Sequence, residues 1–193
     1  MVQATTRKGM SLEEFMQQED GPFEIIDGEV VYMSPTVSGH SELIQLLFLA
    51  FHSFLVSNAT WKVYQETTFI KPDMESSNWV EGTLQPDIML LRKADVDAFK
   101  ATTPDWRERP FTIIPPLVVE VLSPTDRLAN VLRKVALYLD LGVQEIWLVN
   151  PRSQTVSVYR AGADQADYPG PDGSLTANDL LPGFSISVKK LFE

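Results

Sequence analysis

The chain has 193 residues, of which 44% are hydrophobic, a formal net charge of −10 and no cysteine. A chain of this length can bury a core without cross-links, and we expect a single domain spanning residues 1–193. The lack of cysteine excludes disulfides and thiolate metal sites. The negative charge argues against a general nucleic-acid coat, because affinity for phosphate backbones depends on lysine and arginine.

The N-terminal part of the chain predicts a short helix, a hairpin and a long helix. Residues 11–14 have the capping-box pattern that begins a helix. Residues 23–33 carry Asp27 and Gly28 at their centre, a pair typical of the tight turn in a β-hairpin. Residues 38–57 place apolar side chains at helical spacing, so we expect a helix there.

The uncharged stretch at residues 43–61 is long enough to be considered as a membrane span. It contains several polar side chains, and its larger apolar residues recur at the spacing of an amphipathic helix packed on a core. We therefore expect no membrane partner. Residues 1–10 are polar and lack the apolar core of a secretory signal, so we expect a cytoplasmic protein.

The rest of the chain alternates strands and helices. Apolar and β-branched runs predict strands at residues 61–70, 86–91, 117–122, 145–149 and 155–160, and a last strand-like run at 184–188. A helical stripe follows the third of these and ends near Gly142. Two stretches predict irregular structure: a polar loop at 71–82, and a surface excursion at 95–116 that holds four prolines. An α/β fold with a mixed central sheet is expected.

Two of the predicted strands each contain one carboxylate that a core would not select for packing. These are Asp87 and Glu120. An unpaired buried carboxylate is costly, so two of them require a cation. A metal site accounts for both, and two carboxylates with open positions suit Mg²⁺, which keeps waters and takes phosphate oxygens. The structural alternative is a turn role for Asp87 and an ion pair between Glu120 and Lys134.

Lys134 is expected beside these carboxylates. Glu120 lies roughly 10 Å before the end of its strand. Lys134 lies about 12 Å beyond Asp126 along the following helix. A strand that runs out and a helix that runs back therefore bring Lys134 level with Glu120, at the edge of the buried stripe. A cation beside two metal-binding carboxylates suits hydrolysis of a phosphodiester.

The order of these residues resembles the PD-(D/E)XK nuclease superfamily, and the chain as a whole is similar to its Uma family of restriction-type endonucleases. The motifs that carry the resemblance cover nearly the whole chain. They are the hairpin motif at residues 24–29, Ser34-Pro35, His40, Pro86-Asp87-Ile88, residues 119–124, Asp126-Arg127, Lys134, Tyr138, Gly142-Val143, residues 147–149 and Leu181-Pro182-Gly183.

The resemblance implies a restriction-endonuclease-like fold with an N-terminal hairpin, and a Mg²⁺-dependent nuclease in which Mn²⁺ can substitute. It implies that Asp87 and Glu120 are catalytic metal ligands, together with the backbone carbonyl of Val121. The superfamily's usual lysine position, two residues after Glu120, holds Leu122. The resemblance therefore assigns the catalytic lysine to Lys134.

Four further side chains are candidates for the site: Glu24, His40, Asp126 and Arg127. Glu24 could approach the metal or belong to the hairpin face. His40 fits a residue that begins a helix, or one that donates a hydrogen bond to a metal ligand, better than it fits a metal ligand itself. Arg127 could contact phosphate or remain a solvated charge.

The leading hypothesis is a metal-dependent endonuclease that hydrolyses phosphodiester bonds in DNA. Two alternatives stay open: a catalytically degenerate binding or assembly module, and a metal-dependent hydrolase of a small phosphorylated compound. Residues 92–134 carry a net charge of +2, against −12 for the remainder. We expect weak, salt-sensitive DNA binding confined to the face that this segment forms. Association into a homodimer is left open.

Overall fold

The computed structural model describes residues 8–72 and 78–193. The helices in these ranges are α1 (Leu12–Met16), α2 (Ser38–Val56), α3 (Lys93–Thr102), α4 (Leu128–Leu141) and α5 (Val188–Phe192). The strands are β1 (Met10–Ser11), β2 (Phe23–Ile26), β3 (Glu29–Tyr32), β4 (Trp61–Gln65), β5 (Phe69–Pro72), β6 (Trp79–Leu84), β7 (Ile88–Arg92), β8 (Leu117–Val121), β9 (Glu145–Asn150), β10 (Thr155–Arg160), β11 (Ser174–Leu175) and β12 (Ile186–Ser187).

The central sheet has the strand order β10-β9-β8-β7-β4. Strands β8 and β9 are parallel, whereas the other neighbours are antiparallel. Alternate residues of β7 and β8 pack into two separate cores, one with α2 and the other with α3 and α4. Because successive side chains of a strand point to opposite faces, these helices cover opposite faces of the sheet. The predicted fold class, a mixed sheet flanked by helices, is confirmed.

A second sheet has the order β1-β6-β2-β3, with β5 also paired to β6. Its β2-β3 hairpin turns at Asp27 and Gly28, whose φ angles are 54° and 83°. Two consecutive positive φ angles are what a two-residue hairpin turn of the favoured type requires, and Asp-Gly supplies them at little cost. The predicted hairpin is therefore present, and it carries Glu24 on β2 towards the central sheet.

Helix α2 is the one helix among the described residues that is long and apolar enough to cross a membrane by length and composition. One side of it is buried against the central sheet, through Leu43, Ile44, Leu47, Phe51 and Leu55. Other apolar residues, such as Leu49, are exposed. The helix therefore packs on the sheet core, as its spacing predicts.

Helix α4 connects two parallel strands, β8 and β9. It ends at Gly142, whose φ of 99° lies in the left-handed region that favours glycine. Val135 and Tyr138 are buried on its inner side. Since α4 must run antiparallel to β8 to reach the start of β9, its middle returns to the level of Glu120.

Two stretches for which the sequence predicted irregular structure contain regular elements. Residues 93–102 form α3, which buries Val96 and Phe99 at helical spacing, and the proline-rich chain follows only after Thr103. Residues 69–72 and 79–84 form β5 and β6. The middle of the expected loop lies outside the described residues. Strand β6 gave no clear strand signal because Glu81 and Gly82 interrupt its apolar residues, and its structure depends on pairing with β1, β2 and β5.

We expect Leu47→Ala to lower the free energy of unfolding by roughly 2–5 kcal/mol, because Leu47 is completely buried in the core beneath α2. Leu49→Ala is the matched control on the same helix, since the Leu49 side chain is 53% exposed. Its effect should stay within about 0.5 kcal/mol. Urea unfolding of both variants measures the difference, and equal effects would contradict the packing of α2 described here.

Candidate active site

Asp87 and Glu120 lie opposite each other on two antiparallel strands. Asp87 precedes β7, and Ile88 pairs with Val119 of β8. Extending this register by one residue places Asp87 opposite Glu120, so both side chains point to the same face of the sheet. That face is the one covered by α4. The sheet therefore brings together two carboxylates that are separated by 33 positions in sequence.

Both carboxylate oxygens of Asp87 are held by the protein. Nε2 of His40 lies 3.0 Å from Oδ1 of Asp87, and the backbone N–H of Val121 donates to Oδ2 at 2.5 Å. His40 reaches this position from the first turn of α2. The hydrogen bond that His40 donates to Asp87 raises the pKa of His40, although burial opposes the shift. His40 therefore acts on Asp87 and orients it.

Lys134 joins two carboxylates. Its Nζ lies 2.8 Å from Oε1 of Glu24 and 3.0 Å from Oε1 of Glu120. Oε1 of Glu24 also accepts the backbone N–H of Gln85 at 2.8 Å, two residues before Asp87. Glu24 is thus part of the site, and the hairpin that bears it is fixed beside β7. The sequence-based expectation that Lys134 lies level with Glu120 agrees with these distances.

Tyr138 is a member of the cluster that was not among the predicted site residues, although it belongs to the motifs that carry the family resemblance. Its hydroxyl donates a hydrogen bond to Oε1 of Glu120, the oxygen that Lys134 also binds. The signal in the sequence is the spacing of Lys134 and Tyr138, four residues apart, which places both on one side of α4. Burial of the tyrosine, followed by the charge of Glu120, raises the pKa of Tyr138 well above its usual value, so its hydroxyl remains a donor.

The site's electrostatics follow from its burial. Burial, together with the nearby charges of Asp87 and Glu24, raises the pKa of Glu120 to about 7, although the charge of Lys134 and the hydrogen bond from Tyr138 oppose the shift. For Lys134, burial lowers the pKa, but the charges of Glu120 and Glu24 outweigh it and the net shift is upward. Lys134 is therefore protonated at neutral pH and serves as a positive charge and hydrogen-bond donor.

One cavity of about 370 Å³ is lined by Glu24, His40, Asp87, Glu120 and Lys134. Its polar floor contains Asp87, Glu120 and Lys134, and its walls come from the β2-β3 hairpin and the start of α4. Oε1 of Glu120 takes two hydrogen bonds, whereas Oε2 takes none from the described residues. Glu120 lines the cavity and its side chain is 15% exposed, so Oε2 is the oxygen that remains available to a ligand.

Two further candidates lie at the rim of this cavity. Oδ2 of Asp126 accepts the backbone N–H of Ser123 at 2.7 Å and so shapes the turn before α4. Arg127 is exposed beside the cavity and, among the described residues, makes no ion pair and no contact with an aromatic ring. Asp126 therefore has a structural partner, while the charge of Arg127 is available to a ligand.

Six other basic residues of the 92–134 segment have partners within the described part of the chain. Lys93 pairs with Asp97, and Arg109 with Asp105 at 2.5 Å. Arg133 pairs with Asp27 of the hairpin turn. The remaining three lie over aromatic rings: Arg92 over Trp61, and Lys100 and Arg107 over Trp106. Each of these six side chains therefore has an acidic or aromatic partner among the described residues, which leaves fewer basic groups available to phosphate.

No group of three or more histidine, aspartate or glutamate side chains within residues 8–72 and 78–193 is arranged to hold a metal ion. The predicted set of protein ligands is smaller than this, with two carboxylates and one backbone carbonyl. Mg²⁺ is commonly held by one or two carboxylates, with waters and substrate phosphates completing its shell.

The mixed sheet between helices is a fold shared with a protein of known structure. That protein, from Anabaena variabilis ATCC 29413, is described as a "putative nuclease belonging to DUF820". The two chains are 21% identical and superpose with a TM-score of 0.77, over 95% of this chain and 97% of the other. At this identity the similarity establishes the fold.

The family model of Uma2, described as "Putative restriction endonuclease", matches residues 12–189. The chain therefore belongs to the Uma2 family, and the resemblance that its sequence motifs indicated is confirmed. Family membership supports a nuclease. No curated protein matches the chain.

We expect Lys134→Met to destabilise the metal-free protein by roughly 3–5 kcal/mol, since it leaves Glu24 and Glu120 as buried carboxylates without their cation. Added Mg²⁺ should restore part of this stability if the carboxylates bind it, because a ligand of the folded state stabilises by mass action. Thermal melts with and without Mg²⁺ measure both effects. Lys93→Met, which breaks an exposed ion pair, is the control and should change the melting temperature little. A Lys134→Met protein that melts at the temperature of the Lys93→Met protein would contradict the buried bridge.

Proposed function

We propose that the chain is a metal-dependent endonuclease that hydrolyses phosphodiester bonds in DNA. The observation that carries the proposal is the meeting of Asp87, Glu120 and Lys134 on the floor of one cavity. Membership of the Uma2 family supports the reaction class. The cavity is open at its rim, where Arg127 is the cation without a protein partner among the described residues.

The residues present fit a hard divalent cation. Oxygen atoms provide all the proposed ligands, as Mg²⁺ prefers, and Oε2 of Glu120 remains available to a ligand. The pKa of Glu120, raised to about 7 by burial, marks a carboxylate whose ionised form gains from further positive charge. Asp87, Glu120 and the backbone carbonyl of Val121 would hold Mg²⁺, or Mn²⁺ in its place.

Such an ion, when bound, polarises a phosphoryl oxygen and favours ionisation of water at neutral pH. The chain's own residues prepare the site for it. His40 and the N–H of Val121 fix Asp87, and Glu24 holds Lys134 at the floor of the cavity. Because Lys134 stays protonated, it offsets negative charge that develops on the phosphate and donates a hydrogen bond to it.

DNA reaches this site against a net charge of −10. The protein as a whole therefore does not attract DNA at long range, and binding depends on contacts within the Debye length of about 8 Å. We expect Arg127, which lines the cavity, to contact a phosphate of the bound DNA. We expect weak, salt-sensitive binding that involves few phosphates.

We expect the wild-type protein to cleave plasmid and oligonucleotide DNA with Mg²⁺ or Mn²⁺, and to lose this activity in EDTA. Asp87→Asn should lower the rate by orders of magnitude, because it weakens a ligand needed in the transition state. Asp97→Asn, at an exposed ion pair on α3, is the matched control and should leave the rate unchanged.

The contradicting outcome is a metal-replete wild-type protein that is folded and does not cut any DNA tested. Hydrolysis of bis(p-nitrophenyl) phosphate without DNA cleavage would instead favour the small-substrate alternative. Binding of DNA without any hydrolysis would favour the degenerate binding module.

The role of Arg127 is tested by DNA binding to the Asp87→Asn protein across a range of salt concentrations. Arg127→Ala should reduce the slope of log affinity against log salt by about 1, since one phosphate contact is lost. Arg107→Ala, at the ring of Trp106, is the control and should keep the slope. Equal slopes for Arg127→Ala and its parent would remove the phosphate contact.

A further inference from the structure

Two donors on α4 bind one oxygen of Glu120. The hydroxyl of Tyr138 and the Nζ of Lys134 both donate to Oε1, and the two residues lie one helical turn apart. A single oxygen with two donors is turned into the protein. The other oxygen, Oε2, takes no hydrogen bond from the described residues and remains available to a ligand. The two oxygens of Glu120 thus have different environments.

Lys134 and Tyr138 differ in the number of carboxylates that each one contacts. Lys134 divides its hydrogen bonds between Glu120 and Glu24 on the hairpin, so its position follows both carboxylates. The Tyr138 hydroxyl has Glu120 as its one hydrogen-bond partner among the described residues. A carboxylate held by Lys134 alone would keep freedom to rotate about its terminal torsion, which is broad.

The ring of Tyr138 is itself immobilised. It is completely buried, and its centroid lies 6.2 Å from that of Phe69 on β5. The ammonium of Lys134 lies 5.8 Å from the ring centroid. Since the ring is packed on several sides, the position of its hydroxyl is set by the core and not by Glu120. The core can therefore orient the carboxylate through this one hydrogen bond.

We propose that Tyr138 is a positioning residue, which fixes Glu120 so that Oε2 points into the cavity as the ligand for a divalent cation. The proposal rests on the proposed metal dependence of the site. Its physical basis is that partners outside the first layer of a metal site orient the ligands, and their loss typically weakens metal binding 10–100-fold. Tyr138 touches neither the cation nor the substrate in this scheme.

The test uses Tyr138→Phe, which removes the hydroxyl and keeps the ring. In high-resolution crystal structures without metal, we expect the Glu120 carboxylate to rotate or to occupy two orientations in the variant. In calorimetric titrations with Mn²⁺, we expect about 10–100-fold weaker binding. Tyr64→Phe is the matched control, because Tyr64 is a half-buried tyrosine of β4 that packs on Phe111, outside the cavity lining.

A different result is expected if the Tyr138 hydroxyl has only a structural role. Tyr138→Phe would then lower the melting temperature while Glu120 kept its orientation and the Mn²⁺ affinity stayed within about twofold of wild type, and this outcome would overturn the proposal. Weaker Mn²⁺ binding in a protein whose wild type fails to cut DNA would support the role of Tyr138 and overturn the endonuclease. Failure of the wild type to bind Mn²⁺ would overturn both.

A variant that fails to fold is still informative when combined with Glu120→Gln. If the Tyr138 hydroxyl acts on the Glu120 carboxylate, its loss matters only while that carboxylate is charged. Glutamine at position 120 is neutral. The double variant Tyr138→Phe with Glu120→Gln should therefore fold as Glu120→Gln alone does. Failure of the double variant to fold would place the hydroxyl's effect elsewhere and overturn the proposal.

Discussion

The bridge from Lys134 to Glu24 and Glu120 is the interaction on which the rest of the site depends. It joins a hairpin strand, a central strand and a helix that are far apart in the sequence. Charged groups this well buried are tolerated only when their partners are in place, since each would otherwise bear an uncompensated desolvation cost. The fold must therefore bring all three elements together at once, and Arg133 with Asp27 repeats the hairpin-to-helix link at the surface.

The same bridge explains why the site is both rigid and open. Lys134 and Tyr138 occupy one oxygen of Glu120, while His40 and the backbone of Val121 occupy Asp87. Oε2 of Glu120 is left without a hydrogen bond from the described residues. A site organised in this way holds its carboxylates in place before any ligand arrives, which lowers the cost of orienting them during binding.

The disposition of charge separates this protein from binders that coat nucleic acid. Most basic residues of the 92–134 segment have acidic or aromatic partners within the described structure. The count of charges in the sequence could not reveal this, because the partners of Arg133 and Lys134 lie on a hairpin more than 100 residues away. An acidic surface with one available arginine near the site favours short-range recognition over steering.

The sequence by itself determined the elements with strong local signals and the residue types of the site. The Asp27-Gly28 turn, the spacing of α2 and α4, the Gly142 cap and the apolar runs around Asp87 and Glu120 are local patterns, and the strand-and-helix lengths placed Lys134 beside Glu120. Tertiary structure decided the rest. Strand β6 exists because it pairs with three others, Glu24 enters the site because its hairpin packs beside β7, and the Tyr138 hydroxyl meets Glu120 only when α4 docks on the sheet. These are contacts between distant segments, whose partners local propensity and periodicity do not specify.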